Sequence, residues 1–165
     1  WHPQPLSTAV PNSVAMIGTK LGMQVTLLCP NPDYVLDERF MKAAQKNAAA
    51  SGGRLSVTHE IEEGYSGADV VYANSWGALP YYGDPEKEWA HSRAYRNFMV
   101  DKKKMAMTNK ALFSHSLPVR RNVEAADAVM DSPACVAIDE AENRIHVQKA
   151  LMLGLLRKAP GRQGR

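Results

Sequence analysis

The stretch Val25-Thr26-Leu27-Leu28-Cys29-Pro30 decides the fold class. It is a compact apolar run, and Pro30, which lacks a backbone N–H, stops it. Apolar residues at successive positions over so short a length fit a strand covered on both faces. Upstream, residues 13–21 read as a helix with Val14, Ile17 and Leu21 on one side and Gly22 at its end. Downstream, Asp37 and Glu38 suit the positive start of a second helix. Its apolar stripe is Phe40, Met41, Ala44 and Ala48, and Gly52-Gly53 closes it.

The same type of run recurs at Leu55–Thr58, Asp69–Ala73, Ala111–Phe113 and Cys135–Ile138. A last helix starts near Asp139 and continues to about Arg157, carrying Ile145, Ala150, Leu151, Leu155 and Leu156. Short apolar strands alternating with helices predict a three-layer, doubly wound α/β domain. Its sheet is Rossmann-like, mainly parallel and five-stranded. Residues 1–157 read as one domain. The Gly- and Arg-rich segment 158–165 reads as a frayed, disordered tail.

Composition narrows the function. Of 165 residues, 45% are hydrophobic and 22% charged, which is a globular balance. The net charge of +3 is small and scattered, which argues against nucleic acid as a partner. No apolar run is long enough for a membrane-spanning helix. The chain opens on Trp1 without a basic and then apolar leader, so it reads as a piece of a longer protein. Cys29 and Cys135 lie far apart in or beside apolar runs, and are expected as buried reduced thiols in a cytoplasmic protein.

In a doubly wound sheet, ligands sit beyond the carboxyl ends of the strands. The segments expected there are 31–36, 74–88, 115–124 and 139–144. None is a glycine-rich dinucleotide turn or a Walker loop. The five histidines (His2, His59, His91, His115, His146) lack zinc spacing, and no G-x-S-x-G elbow surrounds Ser116. No cofactor and no metal are therefore expected. Two segments carry usable chemistry. In Phe113-Ser-His-Ser-Leu-Pro-Val-Arg-Arg-Asn122, His115 and Ser116 can donate or accept hydrogen bonds. Arg120 there offers a planar fork for a carboxylate or phosphate, or else a partner for a surface ion pair. In Glu140-Ala-Glu-Asn-Arg-Ile-His146, Arg144 lies one turn into a helix. That arrangement suits an anion; the alternative is an i,i+4 pair between Glu140 and Arg144.

Together these segments resemble the transcarbamylases, whose His-Cys-Leu-Pro motif reads here His115-Ser116-Leu117-Pro118 and whose Glu-Asn-Arg helix start reads Glu142-Asn143-Arg144. Trp1–Leu6, Val25–Pro30, Asp69–Gly83 and Asn122–Lys149 extend the match over nearly the whole chain. The loop Trp76-Gly77-Ala78-Leu79, in place of a Ser-Met-Gly loop, points to the branch acting on N-acylated ornithine. The resemblance implies the C-terminal, amino-acid-binding half of a two-domain enzyme, commonly a trimer. The other half would hold carbamoyl phosphate on a Ser-x-Arg-Thr loop and a His-Pro-x-Gln motif. His2-Pro3-Gln4-Pro5 is not that motif, since Pro5 stands where glutamine is needed.

The implied reaction is carbamoyl transfer from carbamoyl phosphate to the δ-amine of N-acetylornithine, giving N-acetylcitrulline and phosphate, in arginine biosynthesis. By the same resemblance, the catalytic positions are Ser116, the backbone at Leu117, and Arg144, all facing carbamoyl phosphate. His2, Ser7, Asn74, Arg120 and Glu124 hold the positions that face the acylated amino acid. The chain departs from the family pattern at four of these places. Ser116 replaces cysteine, Asn74 replaces lysine, and Ser7 replaces asparagine. Glu124 stands where some relatives carry a lysine that can become carboxylated. These departures leave a second reading, a diverged or truncated module that binds an amino acid without chemistry.

Overall fold

A computed structural model describes residues 6–158. In chain order the elements are α1 (Ala9–Lys20), β1 (Gln24–Leu28), α2 (Glu38–Ser51), β2 (Arg54–Thr58), α3 (Ile61–Tyr65) and β3 (Val70–Ala73). They continue with α4 (Pro85–Ser92), α5 (Lys102–Met105), β4 (Leu112–His115), α6 (Asp127–Met130) and α7 (Ala137–Lys158). Three short 3-10 turns, at Pro32–Tyr34, Leu79–Tyr81 and Arg93–Phe98, sit in the connections.

The strands pair in parallel, β1 with β2 and β3 with β4, in register Leu27 to Val57 and Tyr72 to Ser114. Successive side chains of β1 point to opposite faces. Leu27 accordingly packs with Ala15, Met41 and Ala44 of α1 and α2. Leu28 packs on the other side with Tyr65, Phe113 and Val129. Helices therefore cover both faces, and the Rossmann-like α/β class expected from the sequence holds. Gly64 of α3 permits the close approach on the second side: a Cβ there would lie 2.8 Å from Leu28 Cδ2.

Four details differ from the sequence reading. First, the described residues hold two parallel strand pairs where one five-stranded sheet was expected. Residues 135–138 contribute a single parallel bridge from Cys135 to Phe113. The Phe113 N–H donates to Ala134 O at 2.8 Å and its carbonyl accepts from Val136 N–H at 2.9 Å. Beyond that, Val136 O is taken by Glu140 N–H, because α7 starts two residues earlier than expected and claims the backbone.

Second, α1 buries Pro11, Asn12, Ala15, Gly18 and Thr19, while Ile17 and Leu21 are exposed. Small residues let α1 lie close to its neighbours, and the larger ones turn outward. Third, the apolar residues of α7 are not buried: Ile145, Leu151, Leu155 and Leu156 are exposed, and so is Ala150. Fourth, Cys29 is buried but Cys135 is only half-buried; neither is in a disulfide.

The second helix is as expected. Asp37 caps it by accepting from Arg39 N–H at 2.9 Å. Met41, Ala44 and Ala48 are buried, and Gly52 ends it with φ +76°, a left-handed turn that favours glycine. No described helix is long and apolar enough to cross a membrane. The tail expected to be frayed lies outside the described residues except for Lys158, the last residue of α7.

Candidate functional site

A cavity of about 180 Å³ lies between β1 and β3, lined by Thr26, Leu28, Ala73, Asn74, Trp76 and Glu124 among others. It opens where the two strand pairs part, the place where doubly wound sheets bind ligands. Asn74 and Ser116 each follow the last residue of a strand, and those last residues, Ala73 and His115, are register partners. Parallel pairing therefore delivers both side chains to one edge. Asn74 Nδ2 donates to Ser116 Oγ at 3.3 Å.

The turn after β4 is held from within. Leu117 has φ +51°, a left-handed conformation that costs a β-carbon-bearing residue of order 1 kcal/mol. Its N–H donates to His115 Nδ1 at 2.9 Å. The bond offsets part of that strain and fixes how the Leu117 peptide faces the edge. The Leu117–Pro118 peptide bond is cis. Further along, the Arg120 N–H donates to Glu124 Oε2 at 2.8 Å. Glu124 Oε1 lies 3.6 Å from His115 Nε2, and both side chains are buried. Thus Glu124 ties the Arg120 turn to the imidazole while it lines the cavity. The Arg120 side chain itself is exposed.

The loop from Asn74 to Glu88 is packed as firmly. Trp76 Nε1 donates to Tyr34 O at 2.8 Å. The buried Glu88 accepts from Tyr34 Oη at 3.2 Å and from Ala78 N–H at 2.9 Å. The Gly77 N–H donates to Leu6 O at 3.0 Å, which brings the segment beside Ser7 to this loop. Ser7 is exposed, and its Oγ accepts from Ala9 N–H at 3.1 Å, at the start of α1. His2 lies outside the described residues.

At the start of α7, the two oxygens of Glu140 serve the sheet. Oε1 accepts from Tyr72 Oη at 2.6 Å and Oε2 accepts from Ser114 Oγ. Among the described residues no ion pair joins Glu140 to Arg144, so the i,i+4 alternative is not what the structure holds. Arg144 is exposed one turn further on, near enough for its charge to act on the Tyr72 phenol. That phenol is held well above the ordinary tyrosine range, first by burial and then by its bond to Glu140.

The structure thus brings together Asn74, Ser116, Leu117, Arg120 and Glu124, and sets the α7 start beside them. Sequence reasoning missed Tyr72 and Ser114. The signal was present, since both are polar residues in otherwise apolar strands, but only pairing puts them on one carboxylate. No cluster of metal-ligating side chains occurs among the described residues.

Residues 6–155 match the family described as aspartate/ornithine carbamoyltransferase, Asp/Orn binding domain. The N-acetylornithine carbamoyltransferase of Xanthomonas campestris is 62% identical over 156 residues, 94% of this chain and 46% of the relative. The ornithine carbamoyltransferase of Pyrococcus abyssi is 37% identical over 148 residues, 89% of this chain and 45% of the relative. A crystal structure of acetylornithine transcarbamylase complexed with acetylcitrulline superposes with a TM-score of 0.92 at 62% identity. That match covers 94% of this chain and 46% of the other. The chain spans a little under half the length of these relatives.

Proposed function

The chain belongs to the aspartate/ornithine carbamoyltransferase family, and from that premise we propose that it is the amino-acid-binding half of an N-acetylornithine carbamoyltransferase. The observation that carries this reading is the meeting of Asn74, Ser116 and the constrained Leu117 peptide at the ends of β3 and β4. It is the arrangement needed to hold a small polar group in one orientation.

In the proposed reaction, the neutral δ-amine of N-acetylornithine attacks the carbonyl carbon of carbamoyl phosphate. A C–N bond forms, the carbonyl oxygen takes up negative charge, and collapse of that intermediate breaks the C–O bond to phosphate; the proton lost from the δ-nitrogen leaves with the phosphate, and acetylcitrulline remains. Such chemistry rests on positioning and on donors aimed at developing charge. Ser116, the Leu117 backbone and Arg144 face the carbamoyl phosphate side. Arg120 meets the carboxylate of the amino acid, with Asn74 and Ser7 on the same side; the family resemblance assigns His2 to that substrate as well. Glu124 acts from beneath, through the Arg120 backbone and His115. The same reading gives a cytoplasmic homotrimer in which a further domain supplies the phosphate site.

The test joins this chain to the complementary half of the Xanthomonas campestris relative and assays acetylcitrulline formation. Turnover is the expected result, while the 165-residue chain alone forms none. A folded chimera that binds N-acetylornithine but transfers nothing would replace this reading with that of a binding module.

A further inference from the structure

Tyr34 follows β1, Glu88 lies in α4, and the loop that leaves β3 at Asn74 is held by both. Three hydrogen bonds close a ring with the backbone from Trp76 to Ala78. Trp76 Nε1 donates to Tyr34 O at 2.8 Å, and Tyr34 Oη donates to Glu88 Oε1 at 3.2 Å. Ala78 N–H donates to Glu88 Oε2 at 2.9 Å. Tyr34, Ala78 and Glu88 are all buried. A buried carboxylate with a separate donor on each oxygen is held in one orientation. The helix that carries it is held as well. Asp84 caps α4 by accepting from Lys87 N–H at 3.2 Å. His91, three residues beyond Glu88 and so on the same side of the helix, stacks on the Tyr34 ring with centroids 5.6 Å apart. The ring of bonds borders the cavity: Tyr34, Trp76 and Glu88 line it together with Asn74.

We propose that Glu88 is a positioning residue: by holding Ala78 N–H and the Tyr34 phenol together, it sets the Trp76 wall of the cleft before the amino acid arrives. The inference rests on the reading of this cleft as the amino-acid site. Only Ser75, itself buried, separates Asn74 from Trp76. A loop pinned at Trp76 and Ala78 therefore also restrains Asn74. A wall already in place needs no ordering when ligand binds, and that is affinity gained by preorganisation. Without Glu88, Ala78 N–H and Tyr34 Oη become buried donors with no acceptor, and the loop opens to water to satisfy them. A glutamine at 88 keeps the ring. Its oxygen accepts from Ala78 N–H, and its amide N–H donates to Tyr34 Oη.

The experiment titrates the ¹⁵N-labelled 165-residue chain with N-acetylornithine and follows it by NMR. In the parent, the Trp76 indole and Ala78 amide signals are expected to be sharp both free and saturated. In Glu88→Ala they should be broad in the free chain and sharpen on saturation, with affinity about five- to twenty-fold weaker. Glu88→Gln should keep the sharp signals and bind within about two-fold of the parent. Tyr34→Phe, which removes one bond of the ring and keeps Glu88, is expected to fall between these two and serves if Glu88→Ala does not fold. Parental affinity in the folded variant, or weaker binding with the loop signals still sharp, overturns the role of Glu88 and leaves the reading of the site intact. So does a Glu88→Gln variant that loses as much as Glu88→Ala. A parent chain that does not bind N-acetylornithine overturns that reading and this inference with it.

Discussion

His115 Nε2 lies 3.6 Å from Glu124 Oε1, with both side chains buried. The other ring nitrogen, Nδ1, accepts from Leu117 N–H, so in the neutral imidazole Nε2 carries the proton and directs it at the carboxylate. The distance exceeds a hydrogen bond, and the contact is electrostatic. One histidine therefore couples the strained Leu117 peptide to the residue that holds the Arg120 backbone.

Glu124→Ala should expose the value of that coupling. It leaves Arg120 N–H without its acceptor and removes the charge facing His115. A loss of about 2 kcal/mol is expected, or roughly 4–8 °C in thermal midpoint. Glu124→Gln, which keeps an oxygen for Arg120 N–H, should lose less than half as much. Calorimetry of both variants checks this, and equal losses would mean that the acceptor is not what matters.

Arg120 is exposed, so its side chain should matter for ligand more than for fold. Arg120→Ala is expected to weaken N-acetylornithine binding about ten-fold, with a thermal midpoint close to the parent. Unchanged affinity in a folded variant would return Arg120 to the role of a surface residue.

Asn74→Lys tests the family's missing charge. A lysine here gives up the bond to Ser116 and gains a cation at the mouth of the cleft. Affinity for N-acetylornithine should rise about ten-fold at low salt. The gain should shrink as salt is added and vanish for the analogue whose carboxylate is amidated. The firmly packed loop around Trp76 is the opposing term. If it leaves no room for the lysine, affinity falls with both ligands.

Burial pushes the Cys29 thiol up to about 12. In the native chain it should resist iodoacetamide at pH 8 for hours, while half-buried Cys135 reacts first. The sign for stability follows. An unfolded thiol ionises near 8.5 while the native one does not until about 12, so this contribution is complete below the first value and is lost as pH rises toward the second. Peptide mass spectrometry of a timed labelling reaction reads the order, and early modification of Cys29 would contradict its burial.

Phe113 and Leu155 should behave as opposites. Phe113 is fully buried at the junction of β3, β4 and the Cys135 bridge. Phe113→Ala should cost about 3–5 kcal/mol. Leu155 is 63% exposed on α7, and Leu155→Ala should stay within about 0.5 kcal/mol. Urea unfolding of the two variants decides it.

What the sequence determined by itself were the features set by near neighbours. Period and punctuation placed the first four strands and the second helix, with Asp37 and Gly52 as its two ends. The short motifs at 115–118 and 142–144 pointed to the family, because those residues follow one another in the chain. Tertiary structure alone decided which distant groups meet. Glu140 could have paired with Arg144, four residues away; it accepts instead from Tyr72, 68 residues back, and Ser114, 26 residues back. Parallel register puts those two hydroxyls side by side, and no local pattern encodes register between strands so far apart. The same holds for burial. Ile17 and Leu155 carry core-type side chains, yet they are exposed in this chain. Periodicity says that a helix has an apolar face, whereas only packing says whether anything lies against it.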